Sequence, residues 1–152
     1  MAIYHFTTSI VKASSGKCAV ASSAYISGSS LYDERLGMAF SYKNKDEVVH
    51  TEILLPSNAP PEYQDRSVLW NEVEKVQNKS NSRYARQFEF AVPNEWSREE
   101  AIERSREFIQ KAFVDRGMAV DFAYHEKDGN HHSHCMCTVR GFKPDGKWDS
   151  ME

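Results

Sequence analysis

HEKDGNHHSHCMC, residues 125–137, holds four of the chain's six histidines and two of its three cysteines. Asp128-Gly129-Asn130 is turn chemistry between two alternating runs. MAVDFAY, 118–124, leads in as a strand, with His125 at its end, and HSHCMCTVRG, 132–141, leads out as another. The stretch therefore reads as a hairpin of two antiparallel strands. Side chains alternate along a strand, so His132 and His134 share a face while His131, Ser133, Cys135 and Cys137 point the other way. Two imidazoles so placed can reach a common ion, and the turn returns the chain alongside His125. Three histidines around one divalent ion leave coordination positions open, as a catalytic metal site requires. Two other readings stand beside this one. A structural zinc site wants four closed ligands, for which only Cys135, Cys137 and the distant Cys18 add to the histidines. A metal-free surface cluster is the other. Cys135 and Cys137 read most simply as small core residues.

Working outward, AIYHFTTSIV, 2–11, alternates like a strand. Lys17 to Gly28 is rich in small residues and predicts a short helix, with Ser14 or Ser15 as N-cap. LYDERLGMAFSY is a hairpin turning over Asp33–Gly37, and VVHTEILLP is a strand stopped by Pro56. Val68, Leu69, Val73 and Val76 mark one face of a helix over 65–79. RYARQFEFAVP alternates as a strand. Ser97-Arg98-Glu99-Glu100 is a capping box for a helix that Gly117 closes after Arg116. The order, roughly β-α-hairpin-β-α-β-α-β-β, predicts an α+β two-layer sandwich: a mainly antiparallel sheet with helices on it. Residues 1–152 read as a single domain. The final GFKPDGKWDSME shows no closing element, so the end reads as a fragment edge or a domain boundary.

With 40% hydrophobic and 27% charged residues, the composition is that of a globular domain. No apolar run of about 18 residues predicts a membrane span, and MAIYHFTTSIVK lacks the charged start of a signal peptide. Three cysteines, an odd number, argue against a disulfide framework and for a reducing cytoplasm. The net charge of −3 argues against a nucleic-acid partner on average. Arg83, Arg86, Arg98, Arg104, Arg106, Lys111 and Arg116 nevertheless concentrate mid-chain, though interleaved acids make solvated helix faces the plain reading.

Of seven tyrosines, Tyr25 differs in context, lying in SSAYISGSS on the small-residue helix. Small neighbours leave room for a bulky substrate to reach the phenol. A phenol with a free pKa of about 10 is a weak nucleophile, so it would need a metal to polarise a phosphate and a nearby base.

Taken together, these stretches resemble the relaxases of the HUH endonuclease superfamily, in the MobA/MobL branch. MAIYHF looks like that branch's opening strand, SAYISGSSLYDE like its tyrosine motif, and EILLP and ARQFEFAVP like its middle strands. HEKDGNHHSHCMCTVR matches its three-histidine motif. The likeness covers nearly the whole chain in order and spacing, and is nearest to the N-terminal domain of TraA-type conjugation proteins. It implies that Tyr25 is the nucleophile and that His125, His132 and His134 bind the metal. Two positions depart from the pattern. His131 stands where the family usually has Pro, and adds an imidazole that competes as a ligand. Gln87 stands where relatives often have Glu, which makes Glu89, on the same strand face, the acid expected as general base or histidine orienter. Tyr32 and Tyr42 are rival nucleophiles.

The implied reaction is strand-specific nicking at a plasmid transfer origin by transesterification, through a 5′-phosphotyrosyl link. Mn²⁺ or Mg²⁺ is the expected ion, although histidine ligands also suit Zn²⁺, Co²⁺ or Ni²⁺. Single-stranded or hairpin DNA is the expected partner, with other transfer proteins. Lys12, Lys17, Arg83 and Arg86 are the phosphate contacts expected from their places beside the tyrosine helix and the middle strand. A rolling-circle replication initiator, a nuclease using metal-bound water, and a DNA-binding autoregulator are the competing readings.

Overall fold

A computed structural model describes residues 6–43 and 45–151. The part of the expected first strand at residues 2–5 lies outside them. The chain runs β1 (Phe6–Lys12), α1 (Ala19–Ser27), β2 (Ser30–Asp33), β3 (Met38–Ser41), β4 (Val48–Leu54), α2 (Arg66–Val76) and β5 (Arg83–Ala91). It continues with α3 (Arg98–Ala112), β6 (Val120–Lys127), β7 (Asn130–Thr138), β8 (Arg140–Phe142) and β9 (Trp148–Met151). Short 3-10 turns precede α1 and α2 and follow α3.

The main sheet, five strands among the described residues, has the order β1-β5-β7-β6-β4, and every pairing is antiparallel. The α+β class and the antiparallel sheet with helices packed on it stand as expected. The helices divide between the two faces, so α3 adds a layer beyond the two-layer form. Val20 and Ile26 of α1 and Leu69, Trp70 and Val73 of α2 share a core with Ile53, Ala123 and Met136 of the sheet. Ala101 and Ile109 of α3 share the opposite core with Phe88, Phe90, Phe122, Cys135 and Cys137. Aromatic and β-branched side chains at alternate positions make the α3 face, while smaller residues such as Ala85 and Ala123, with Ile53 and Met136, line the other.

The helix starts follow capping chemistry. Ser97 accepts from the Glu100 N–H, as its capping box predicts, and Asp65 caps α2 by accepting from the Ser67 N–H. The first helix departs from expectation: Ser14 and Ser15 lie in a 3-10 turn, and Cys18 is the N-cap, its Sγ accepting from Ala21. Gly16, at φ 74°, turns the chain between the two. The C-terminal stretch also departs. Where the sequence shows no closing element, GFKPDGKWDS carries the β8–β9 hairpin, closed by a Lys143 N–H to Lys147 carbonyl bond of 2.7 Å and a Phe142–Trp148 ring contact at 4.6 Å. No helix among the described residues is long and apolar enough to cross a membrane.

Candidate active site

The site lies on the central three strands, under the C-terminal end of α1. In the β6–β7 hairpin His125 pairs directly with His132, and His134 pairs with Ala123 on one side and Glu89 of β5 on the other. Alternation puts His125, His132, His134 and Glu89 on the α1 face. The His125 and His134 rings stack at 4.0 Å, and the His132 and His134 rings lie 6.1 Å apart. His131 points to the α3 face, where it meets the Tyr124 ring. Cys135 and Cys137 are buried on that face too, away from the histidines. Beside His134 runs a groove of about 210 Å³, lined by Thr7, Ser9, Gln87 and Glu89.

One bond fixes the chemistry of His125. Its Nε2 lies 2.7 Å from the Ile26 carbonyl oxygen. A carbonyl only accepts, so Nε2 carries the proton and Nδ1 keeps its lone pair. Burial pushes the His125 pKa down from its ordinary value. Burial pushes His134 down to about 3, with His125, His132 and Lys45 adding to the effect. At neutral pH His134 is therefore a neutral base, the form a metal binds. This donor set fits a borderline divalent ion better than Mg²⁺. Coordination by all three also requires the stacked rings to turn, because their nitrogens are gathered less closely than the donor atoms of Cys18, Asp33 and Glu74.

Tyr25 immediately precedes the carbonyl that His125 holds. It is 52% exposed, so its phenol is open to a large substrate. Tyr42 meets its ring edge-on at 5.2 Å, and the Lys45 ammonium sits 3.4 Å from the ring centre. Tyr32 lies on the exposed β2–β3 hairpin. Lys45 is thus beside the tyrosine and within electrostatic reach of His125 and His134. Nothing local in the sequence separates it from Lys43.

α1 is anchored by Asp121, fully buried on β6. Its carboxylate accepts from Ser23 at 2.6 Å, Trp70 at 2.9 Å and Arg66 at 2.9 Å. An Asp inside an apolar strand, MAVDFAY, is the sequence signal that could have found it.

The expected DNA contacts fall in separate places. Lys12 and Arg83 are paired across β1 and β5, both exposed. They lie five to six residues from the Thr7–Glu89 pair, about 17–20 Å along the strands. Lys17 is exposed just before α1. Arg86 is on the opposite sheet face, near Met118.

A model of the MobA/MobL family matches residues 17–152. The chain belongs to the MobA/MobL family. Its curated relatives include the conjugal transfer protein TraA of Agrobacterium fabrum, 36% identical over 96% of this chain and 14% of that protein. A probable mobilization protein MobA of Bifidobacterium longum is 32% identical, covering 100% of this chain and 27% of its own length. A solved structure bearing on the molecular basis of vancomycin resistance transfer in Staphylococcus aureus has a TM-score of 0.91 at 36% identity. That match covers 98% of this chain and 76% of the other. The chain thus spans a small part of the TraA and MobA proteins it matches, and the resemblance to MobA/MobL relaxases read from the sequence stands.

Proposed function

We propose that this MobA/MobL domain nicks one DNA strand at a plasmid origin of transfer and holds the cut end as a 5′-phosphotyrosyl adduct, starting conjugative transfer. One observation carries the reading: the His125–Ile26 bond ties the histidine face to the backbone beside Tyr25.

The Tyr25 oxygen attacks the scissile phosphorus. The new O–P bond forms as the P–O3′ bond breaks, leaving a free 3′-hydroxyl. The phenol gives up its proton and the leaving oxygen gains one. The phosphodiester's energy is kept in the adduct, so the same site can rejoin the strand. A divalent ion held by His125, His132 and His134 would offset charge on the non-bridging phosphate oxygens. Burial keeps the His125 and His134 rings neutral and ready to bind. Glu89, opposite His134, orients that ring. Lys45 holds the Tyr25 ring and adds positive charge where the phosphate arrives. Single-stranded or hairpin DNA fits an exposed tyrosine better than an intact duplex, and Lys12 and Arg83 would follow its backbone away from the cut.

The test is a denaturing gel with end-labelled oligonucleotides covering the cognate transfer origin, with Mn²⁺ or with chelator. A protein–DNA adduct that needs both metal and Tyr25 is expected, and Tyr25→Phe should abolish it. Cleavage that survives Tyr25→Phe without an adduct would replace this reading with a metal-water nuclease. An adduct that survives would move the nucleophile to Tyr42, its ring neighbour.

A further inference from the structure

A second set of donor atoms lies at the other end of α1. Cys18 caps the helix, Asp33 ends β2 and Glu74 belongs to α2. They are 6%, 0% and 1% exposed. One donor atom from each lies within 4.8 Å of the others. Cys18 is about 12 Å along the helix from Ile26, at about 1.5 Å per residue, so these atoms are distinct from the histidine face.

Most of the atoms have partners. Glu74 Oε2 accepts from the Val20 N–H and Oε1 from Arg35. Asp33 Oδ1 accepts from the Leu36 N–H. Asp33 Oδ2 is buried and has no hydrogen-bond partner. A buried carboxylate oxygen left so is costly, and a second carboxylate beside it makes matters worse. Something positive must stand between them, either a shared proton or a cation.

We propose that Cys18, Asp33 and Glu74 form a divalent metal site of the zinc class, which clamps the base of α1 to β2 and α2. A thiolate with two carboxylates suits Zn²⁺ or Co²⁺ rather than Mg²⁺. Either carboxylate binding through both oxygens brings the donors to four. Loading releases the Cys18 thiol proton and the proton held between Asp33 and Glu74. Two protons leave as one dication enters, so the group, counted with Arg35, stays neutral. The site is independent of whether Tyr25 cuts DNA.

Co²⁺ is the probe, because thiolate ligation adds a near-ultraviolet charge-transfer band that histidine ligation does not. The whole 152-residue chain is titrated with Co²⁺. The band is expected in the wild type and in the double variant His132→Ala/His134→Ala, and is expected to vanish in Cys18→Ser. Asp33→Asn is the control for folding. Its amide donates to Glu74 in place of the shared proton, so it should fold yet give no band. Absence of the band in the wild type overturns the site, as does a band that persists in Cys18→Ser or in Asp33→Asn.

Discussion

Lys45 keeps its ammonium 3.4 Å from the centre of the Tyr25 ring, while Tyr42 meets the ring edge-on. A cation over an aromatic face contributes about 0.5–2 kcal/mol. Lys45→Met should therefore slow adduct formation about 2- to 30-fold in single-turnover gels, with the circular dichroism spectrum unchanged. His134 gives a second expectation. Its pKa is about 3 in the fold against an ordinary 6.5. Between those values the unfolded chain binds a proton that the folded chain refuses. The stability tied to neutral His134 is thus complete above pH 6.5 and is lost as pH falls towards 3. The slope is at most about 1.4 kcal/mol per pH unit. Urea titrations of metal-free protein should show this fall, and His134→Gln should flatten it. His132 and His134 were legible in the sequence because a strand's period of two admits one answer. Lys45 was not, since its role exists only where a loop meets a helix distant in sequence.

Two contacts decide where α1 sits. Asp121 binds Ser23 on α1 and both Arg66 and Trp70 on α2 from inside the sheet. Asp121→Ala leaves a partly buried guanidinium and a buried indole N–H without their acceptor. A loss of about 3–5 kcal/mol is expected in chemical denaturation. Gly28 ends the helix at φ 62°, and a Cβ there would come within 3.2 Å of the Val48 side chain. Gly28→Ala should cost more than about 1 kcal/mol. It should also lower adduct yield, because Tyr25 lies in that last turn. The elements themselves were mostly readable: alternation gave the sheet strands and Ser97 gave the start of α3. The start of α1 was misread because Cys18 takes the capping role that serine more often fills. The β8–β9 hairpin was missed because it spans only three- and four-residue strands and is held by Phe142 against Trp148, a contact with no periodicity to read.

For the molecule entire, binding at the histidine face should raise the unfolding temperature. A ligand at 100 times its dissociation constant adds about 2.7 kcal/mol. Mn²⁺ should produce that upward shift in calorimetry, and His132→Ala/His134→Ala should abolish it. The net charge of −3 reads differently once the chain is folded. Asp33, Glu74 and Asp121 are interior, with Glu74 paired to Arg35 and Asp121 to Arg66, so part of the acidity never faces a partner. Sequence composition could not show that division, because burial is a property of the closed fold.

The bond between His125 Nε2 and the Ile26 carbonyl carries one more consequence. An imidazole is rigid, so if the proposed ion bound the free Nδ1, the ring would act as a strut between that ion and the helix. A wider ion would then push the strut outward and move the backbone next to Tyr25 with it. On the proposed function, the reach of the phenol would become a gauge of ionic radius. Across Ni²⁺, Zn²⁺, Co²⁺ and Mn²⁺, adduct rates should follow ion size more closely than binding affinity.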